Sequence, residues 1–489
     1  MKKAAIAGIV VALGAVWTGS AWYTGKKAET FVKQLIQDGN VDLQKLGERT
    51  GITPSIELIS FERGVFSSTE RFRVKFSIPA KDGKPGHDGE IEFVEYLDHG
   101  PFPLSNLSRG KLAPAMVASR FQLVETPSVK EWFAAAKGSV PLSGSYSVSY
   151  GKNVDGKFDL AAVEFAKDAN SLKFSGMKGD IEVNTGTKHA VFNAQSDSLV
   201  IAGKSDDSDI TSMALQGLTI AGNGAPGKSD MYMGSQKIGF KALTINSATQ
   251  PPVIVKDTSM AIDTSEADAG VNAKAVLDFG MINVQNQDVT GVKFALDMKN
   301  LDPKALKALN EVYEKASHRM LQSGGEEKTP QFTPEEQQIL KDNVQLLLAG
   351  NPSLSVAPLQ LRTANGASTF NLDLNLAKPA SLDAPFPDVA MQTVRKLDAK
   401  VVLSKASLAD LMAFKAQQDG APADQALKTA KGQADMVGTM AGAMGLAKVE
   451  NDNVVSYLNY ADGQVDFNGK KMPLEQFLMM AMGGFMGKR

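Results

Sequence analysis

From Ile52 onward, apolar and polar residues alternate with a period of two. Phe72, Val74, Phe76 and Ile78 alternate with Arg73, Lys75 and Ser77, which predicts a strand with one buried and one solvated face. The alternation returns at Tyr146, Val148 and Tyr150, at Leu172 and Phe174, and at Leu243 and Ile245. It is cleanest at Ala273, Ala275, Leu277 and Phe279 and at Val292, Phe294, Leu296 and Met298. Lys178-Gly179-Asp180, Asn223-Gly224 and Asp268-Ala269-Gly270 are expected turns between these runs. One-sided alternation predicts antiparallel strands, because parallel strands covered on both faces read as continuous apolar runs. The even spacing predicts a long meander without a strict internal repeat.

The period changes between Leu301 and Gly350. Asp302-Pro303 reads as an N-cap followed by proline at the first helical position. Leu306, Leu309, Tyr313, Ala316 and Met320 then form a helical stripe that ends at Ser323-Gly324-Gly325. Thr333-Pro334-Glu335-Glu336 is a capping box opening a second helix with Ile339, Val344 and Leu347. Together they predict a helical hairpin inserted into a β protein. Strands resume at Leu354, with Phe370, Leu372, Leu374 and Leu376 and then Leu397, Ala399, Val401 and Leu403 alternating. Ser407 and Pro422 open two more helices. A hairpin through Val454–Tyr460, Val465 and Phe467 precedes a last helix, PLEQFLMMAMGGFMG.

At the other end, Ala4 to Tyr23 holds no charged residue. About 20 apolar residues in a helix span the hydrocarbon core of a bilayer. Lys2 and Lys3 precede the run, and Trp17, Trp22 and Tyr23 stand where an interfacial aromatic belt lies. Ile6, Ile9, Val10, Leu13 and Val16 with Trp17 and Trp22 are the expected anchor residues. The alternative is a cleaved signal peptide, for which Gly19-Ser20-Ala21 offers small residues. The run is longer than a usual signal core, and cleavage would leave Trp22 at the new terminus. Lys26, Lys27 and Lys33 lie just beyond it and weaken the charge asymmetry. An uncleaved signal anchor is the reading taken. Farther on, 28–37 reads as a helix with Phe31, Leu35 and Ile36 on one face, broken at Asp38-Gly39-Asn40.

The resulting layout is α+β: an N-terminal transmembrane helix, then an extended antiparallel β-sheet with packed helices. Residues 1–3 form a cytoplasmic tip, 4–23 the anchor and 24–50 juxtamembrane helices. A β-rich periplasmic region covers 51–300, the helical hairpin 301–350, and a sheet with Met-rich helices 351–489. The expected location is a bacterial inner membrane, crossed once, with the bulk in the periplasm.

Charge and composition mostly exclude. A formal net charge of −2 over 489 residues gives no basic footprint for nucleic acid. With no cysteine, the chain has no disulfide, thiolate metal site, cysteine nucleophile or lipoprotein anchor. His87, His99, His189 and His318 have no partner at metal-ligand spacing. His99 comes after Asp98, which could orient its ring, but no G-x-S-x-G elbow supplies a serine. Ser149-Tyr150-Gly151-Lys152 matches S-x-x-K in a strand and turn, where a helix start is needed. Gly222 to Ser229, GNGAPGKS, satisfies the phosphate-loop pattern. The pattern works only when a helix comes directly after it, and Gly234 and Gly239 interrupt the next segment. No catalytic residue, metal or cofactor is therefore assigned, and the chain is expected not to be an enzyme.

Methionine is concentrated near the end. Met436, Met440 and Met444 share one helix face, while Gly438 and Gly442 form a G-x-x-x-G on another. Methionine suits adaptable apolar surfaces, and small residues allow close helix contact. Met436, Met440, Met444, Met479, Met482 and Phe485 make up a candidate apolar binding face. The competing reading is a helix packed on the sheet.

The start VWTGSAWYTGKKAE, the segments Glu62-Arg63-Gly64-Val65-Phe66-Ser67-Ser68 and Asp98-His99-Gly100-Pro101-Phe102-Pro103-Leu104, and the end Tyr460-Ala461-Asp462-Gly463-Gln464 with Asn468-Gly469 and Leu474-Glu475 resemble the YdgA family. Val284-Gln285-Asn286-Gln287-Asp288 and Lys396-Leu397-Asp398-Ala399-Lys400 fit it as well. The resemblance runs the length of the chain and implies a bitopic, mostly periplasmic envelope protein. That family has no established function or site residues. The layout is more loosely similar to AsmA-like envelope proteins, in which one anchor precedes a long sheet folded into an apolar groove linked to lipid transfer. The implied partners are the inner membrane, a lipid or lipoprotein, and a second copy in a homodimer. The alternative function is a dimeric structural or assembly factor acting by protein contacts.

Overall fold

The computed structural model describes scattered positions between 23 and 47 and then 52–78, 86–108, 110, 112–203, 209–285, 287–322 and 329–486. The anchor residues Ile6, Ile9, Val10, Leu13, Val16, Trp17 and Trp22 lie outside the described residues. Among the described residues, no helix is long and apolar enough to cross a membrane. Every described position from 23 to 47 is helical, Gly39 and Asn40 included. The expected break does not occur at Gly39 or Asn40, and Asp38 lies outside the described residues. Asn40 instead ties this segment to the first strand, accepting from Ile56 N at 2.7 Å and donating to Ile56 O at 2.9 Å.

The chain divides into two compact units. The first takes in residues up to Ala202, with Thr219–Ala225 and Tyr313–Gln331. Its strands are β1 (Thr53–Arg63), β2 (Ser67–Ile78), β3 (His87–His99), β4 (Ala115–Leu123), β5 (Leu142–Ser149), β6 (Asn153–Leu160), β7 (Val163–Lys167), β8 (Asn170–Phe174), β9 (Met177–Asn184) and β10 (His189–Ala202). All the pairings among them are antiparallel. Leu160 faces Met177 and Val163 faces Phe174, so β6–β7 and β8–β9 are two long strands, each interrupted for two residues in one unbroken register. Gly176 makes the second interruption possible: its φ is +93°, and a Cβ there would lie 2.7 Å from Leu160 O.

Two expected turns in this sheet and the next strand prove to be strand. Lys178-Gly179-Asp180 lies within β9, and Asn223-Gly224 within β11 (Ile210–Pro226). Gly179 serves packing. Carbon atoms of the Phe158 ring lie 2.3–2.5 Å from where Gly179 would carry a Cβ, so the ring covers bare backbone. Phe121 covers Gly144 and Phe192 covers Gly222 in the same way. Asp268-Ala269-Gly270 does turn, between β13 and β14 below. Tyr150 falls outside β5, in the turn at its end.

The first unit's core lies where β2–β5 meet α2 (Lys130–Ala135). Phe93, Leu123 and Val129 are buried with Phe72, Val74, Phe121, Trp132 and Phe133 around them. Phe93 stacks on Phe72 at 5.1 Å and meets Phe121 edge-on at 6.4 Å. A short helix, α1 (Leu104–Ser108), comes after β3.

The second unit contains β12 (Tyr232–Ser247), β13 (Val253–Ala267), β14 (Gly270–Val284), β15 (Gln287–Leu301), β16 (Ser353–Arg362), β17 (Ala367–Leu376), β18 (Val394–Ser404), β19 (Lys448–Glu450), β20 (Asn453–Ala461), β21 (Gln464–Phe467) and β22 (Lys470–Pro473). From β12 to β18 each strand pairs antiparallel with its chain neighbour, a meander. β20 adds to β18, and β19 and β21 share its far edge. Between β15 and β16 stand α3 (Pro303–Gln322) and α4 (Pro334–Ala349). Thr333 and Glu336 form the capping box in full at the start of α4. α5 (Phe386–Thr393) precedes β18, and α6 (Lys405–Gln418) and α7 (Ala423–Ala443) come after it. The last helix is α8 (Leu474–Met486).

Candidate functional site

In an antiparallel sheet, residues directly opposite one another share a face, so register converts the alternation of each strand into rows across strands. One row of the second unit runs Ile238, Met260, Leu277, Phe294, Leu359, Phe370 and Val401. The next on that face runs Ile262, Ala275, Leu296, Val356, Leu372, Ala399, Leu458 and Phe467. A third runs Ala273, Met298, Leu354, Leu374, Leu397, Tyr460, Val465 and Met472. The opposite face carries Asp263, Lys274, Asp297, Ser355, Asp373, Asp398, Asn459, Asp466 and Lys471 in a single row.

The charged face is an ordinary solvated surface. The apolar face is unusual because it stays partly open: no side chain of the first two rows is fully buried. Ile238, Met260, Ile262 and Leu359 are exposed outright. Contiguous apolar surface of this kind marks contact with a ligand, a partner or a membrane. β16 keeps its place in these rows through a register shift between Val356 and Leu359.

The methionine helix packs through its small residues. Ala426, Ala430, Ala434 and Gly438 are the buried stripe of α7, and the first three pack against Ala409 and Ala413 of α6. Met436, Met440 and Met444 are 62%, 55% and 65% exposed. Gly438 belongs to the alanine stripe, with Val454 Cγ2 3.2 Å from its would-be Cβ, whereas among the described residues nothing lies within 4 Å of a would-be Cβ at Gly442. The G-x-x-x-G pair is therefore not the contact; the alanine series is. Met479 is also exposed. Met482 and Phe485 lie in α8, and their side chains are outside the described residues.

A second constellation, in the first unit, has no counterpart among the sequence expectations. Glu70 and Glu95 face each other on β2 and β3, and both are buried. Ser119 on β4 donates to Glu95 Oε1. Burial, then the hydrogen bond and charge of Glu95, push the Glu70 carboxyl up from 4.5 to about 9. Burial, together with the Glu95 charge and hydrogen bond, also holds the Tyr146 hydroxyl well above its ordinary value. Glu70 Oε2 is buried and, among the described residues, has no hydrogen-bond partner. Two residues before Glu70 on β2, Ser68 Oγ lies 3.0 Å from Nε2 of His99 on β3. A signal for the pair is present in the alternation: Glu70 shares parity with Phe72 and Val74, and Glu95 with Ile91 and Phe93.

Asp98 does not orient His99. Neighbours on a strand point to opposite faces, and Asp98 Oδ2 instead accepts from Ser105 N at 2.9 Å, at the start of α1. The phosphate-loop pattern is the end of β11 and a turn into β12, closed by Gly227 N to Met231 O at 2.8 Å, with no helix after it. Ser149 Oγ accepts from Asn153 N at 3.1 Å, so Ser149 and Lys152 belong to a tight turn between β5 and β6.

On its polar face the first unit has a groove of about 900 Å³. Tyr96, Arg120, Ser145, Lys157, Asp180 and Asn193 form one wall row, and Gln122, Ser143, Asp159, Lys178 and Gln195 the other. Between them the floor is the main chain of Phe121, Gly144, Phe158, Gly179 and Ala194, whose side chains belong to the other face.

Comparison with known proteins covers the whole length. The profile of a family described as "Bacterial protein of unknown function (DUF945)" matches residues 1–475. The chain is 27% identical to Protein YdgA of Escherichia coli over 488 residues, 98% of this chain and 97% of that one. It is 25% identical to the uncharacterized protein YihF of the same organism over 98% of this chain and 99% of that one. An uncharacterized protein of Haemophilus influenzae is 30% identical over 195 residues, 38% of this chain and 50% of its own length. No solved structure matches.

Proposed function

The chain belongs to this bacterial family of unknown function, and from that premise we propose that it is a non-enzymatic, membrane-anchored periplasmic protein that holds a lipid chain, or the apolar part of a membrane-tethered partner, on the open apolar face of its second unit. The supporting observation is the pair of apolar rows from Ile238 to Val401 and from Ile262 to Phe467, partly open, on a sheet whose other face is charged. The uncharged run from Ala4 to Tyr23 supports a single inner-membrane anchor. An acyl chain has no polar groups to satisfy, and a face of branched and aromatic side chains removes it from water at about 25 cal/mol per Å² buried.

The test is lipid extraction and mass spectrometry on the full chain purified in detergent, beside a variant carrying Met260→Asp and Leu359→Asp. Both positions are exposed, so the variant should keep its fold. Lipid retained by the parent and lost from the variant is the expected result. Equal retention would assign the lipid to the anchor's surroundings and end this reading.

The second reading is a dimeric assembly factor, and the exposed stripe of Met436, Met440 and Met444 is what favours it. The chain has no cysteine, so Met440→Cys introduces a unique thiol. Oxidation in whole cells should then trap a disulfide-linked dimer; monomer alone would count against self-association through this helix.

A further inference from the structure

We propose that the polar trough of the first unit binds an acidic oligosaccharide lying across the strands. The site is separate from the apolar face, and the inference does not rest on the lipid reading.

The trough has a shape that suits a linear, hydroxylated chain. Its two walls cross β4, β5, β6, β9 and β10, and each strand contributes one residue to each wall. Neighbouring strands stand about 4.8 Å apart, close to the repeat of an extended pyranose chain. One sugar would therefore meet the same kind of wall at each strand. The volume of about 900 Å³ accommodates several sugar rings.

The chemistry of the walls narrows the class. Vicinal hydroxyls both donate and accept, and the walls offer both: the amides of Gln122, Asn193 and Gln195 beside the carboxylates of Asp159 and Asp180. Tyr96, exposed at one end, supplies the aromatic face on which a sugar ring can stack.

Charge then separates acidic from neutral sugars. Asp159 is paired with Lys178 at 3.8 Å, and Asp180 accepts from Asn193 at 3.0 Å. Arg120 and Lys157 are exposed on the same wall, and among the described residues neither has an ion-pair partner. The trough therefore carries three cations, Arg120, Lys157 and Lys178, against the carboxylates of Asp159 and Asp180, a net charge of +1, with Ser145 between Arg120 and Lys157 in the row. Carboxylates along the sugar chain would answer them by charge-assisted hydrogen bonds.

The probe is fluorescently labelled tetragalacturonate, titrated into the detergent-solubilised full chain and read by anisotropy, with maltotetraose as neutral competitor. Saturable binding is expected, displaced by unlabelled tetragalacturonate and not by maltotetraose. An Arg120→Gln, Lys157→Gln double variant should bind at least about tenfold more weakly with an unchanged melting temperature. Ser145→Trp, which fills the trough without removing a charge, should weaken binding comparably. Absence of saturable binding, displacement by the neutral tetramer at equal concentration, or full affinity in both variants would each overturn the proposal. Loss in the charge variant with full affinity in Ser145→Trp would also overturn it, since a charge effect outside the trough would then explain the binding.

Discussion

Glu70 and Glu95 are direct cross-strand partners in a row that otherwise reads Phe61, Phe121, Gly144 and Phe158. Two carboxyls in such a row cannot both be charged without a large desolvation penalty, so the pair keeps a proton on Glu70. Ser119 then satisfies an oxygen of Glu95.

The first prediction concerns pH. The folded-state value of Glu70, about 9, lies above the ordinary 4.5. The folded protein therefore binds this proton more tightly than the unfolded chain. Its contribution is complete below pH 4.5 and is lost as pH rises toward 9. Melting temperature should fall between pH 5 and pH 9 in the parent. In Glu70→Gln, which mimics the protonated acid, it should stay flatter, with a gain of roughly 1–3 kcal/mol at the alkaline end. A Glu70→Gln curve parallel to the parent's would contradict the assignment.

The ring-over-glycine device predicts a coupled pair. A Cβ at Gly144 would lie 2.4 Å from Phe121 Cζ and 2.6 Å from Lys157 O. Gly144→Ala should destabilise the protein by about 1–3 kcal/mol in urea unfolding. In a Phe121→Leu background the penalty should shrink, because the ring contact is gone while the carbonyl contact remains. Additive effects would show that the ring is not the obstacle.

Core truncation should separate the buried phenylalanine from its neighbours on the surface. Phe93→Ala removes a ring packed against both Phe72 and Phe121 and should cost about 3–5 kcal/mol. Phe102→Ala, at an exposed position, should change stability by less than about 0.5 kcal/mol. Urea midpoints of the two variants make the comparison.

The two stripes of α7 should respond oppositely. Ala430→Leu forces extra atoms between α6 and α7 and should cost about 1–3 kcal/mol. Met440→Ser, on the exposed stripe, should leave the melting temperature nearly unchanged. A large loss from Met440→Ser would place that side chain in a contact within the folded chain.

Period-two alternation by itself determined the β-rich, antiparallel character of the chain, and capping chemistry at Thr333 and Asp302 located α4 and α3. Both are local properties, set by backbone periodicity and by side chains reaching a few residues along. Parity even held the clue to Glu70 and Glu95, and it excluded Asp98 as a partner of His99. Only the tertiary structure decided which strands lie opposite which, and so assembled Ile238, Met260, Leu277 and Phe294 into one row. It also decided that Gly179 and Gly224 lie within strands, and at Gly179 the bare backbone admits the Phe158 ring where a turn was equally legible. On α7, alanine and methionine stripes both recur every four residues, so periodicity cannot rank them. The tertiary structure chose alanine because small side chains let α6 and α7 approach closely, which leaves the methionines outside.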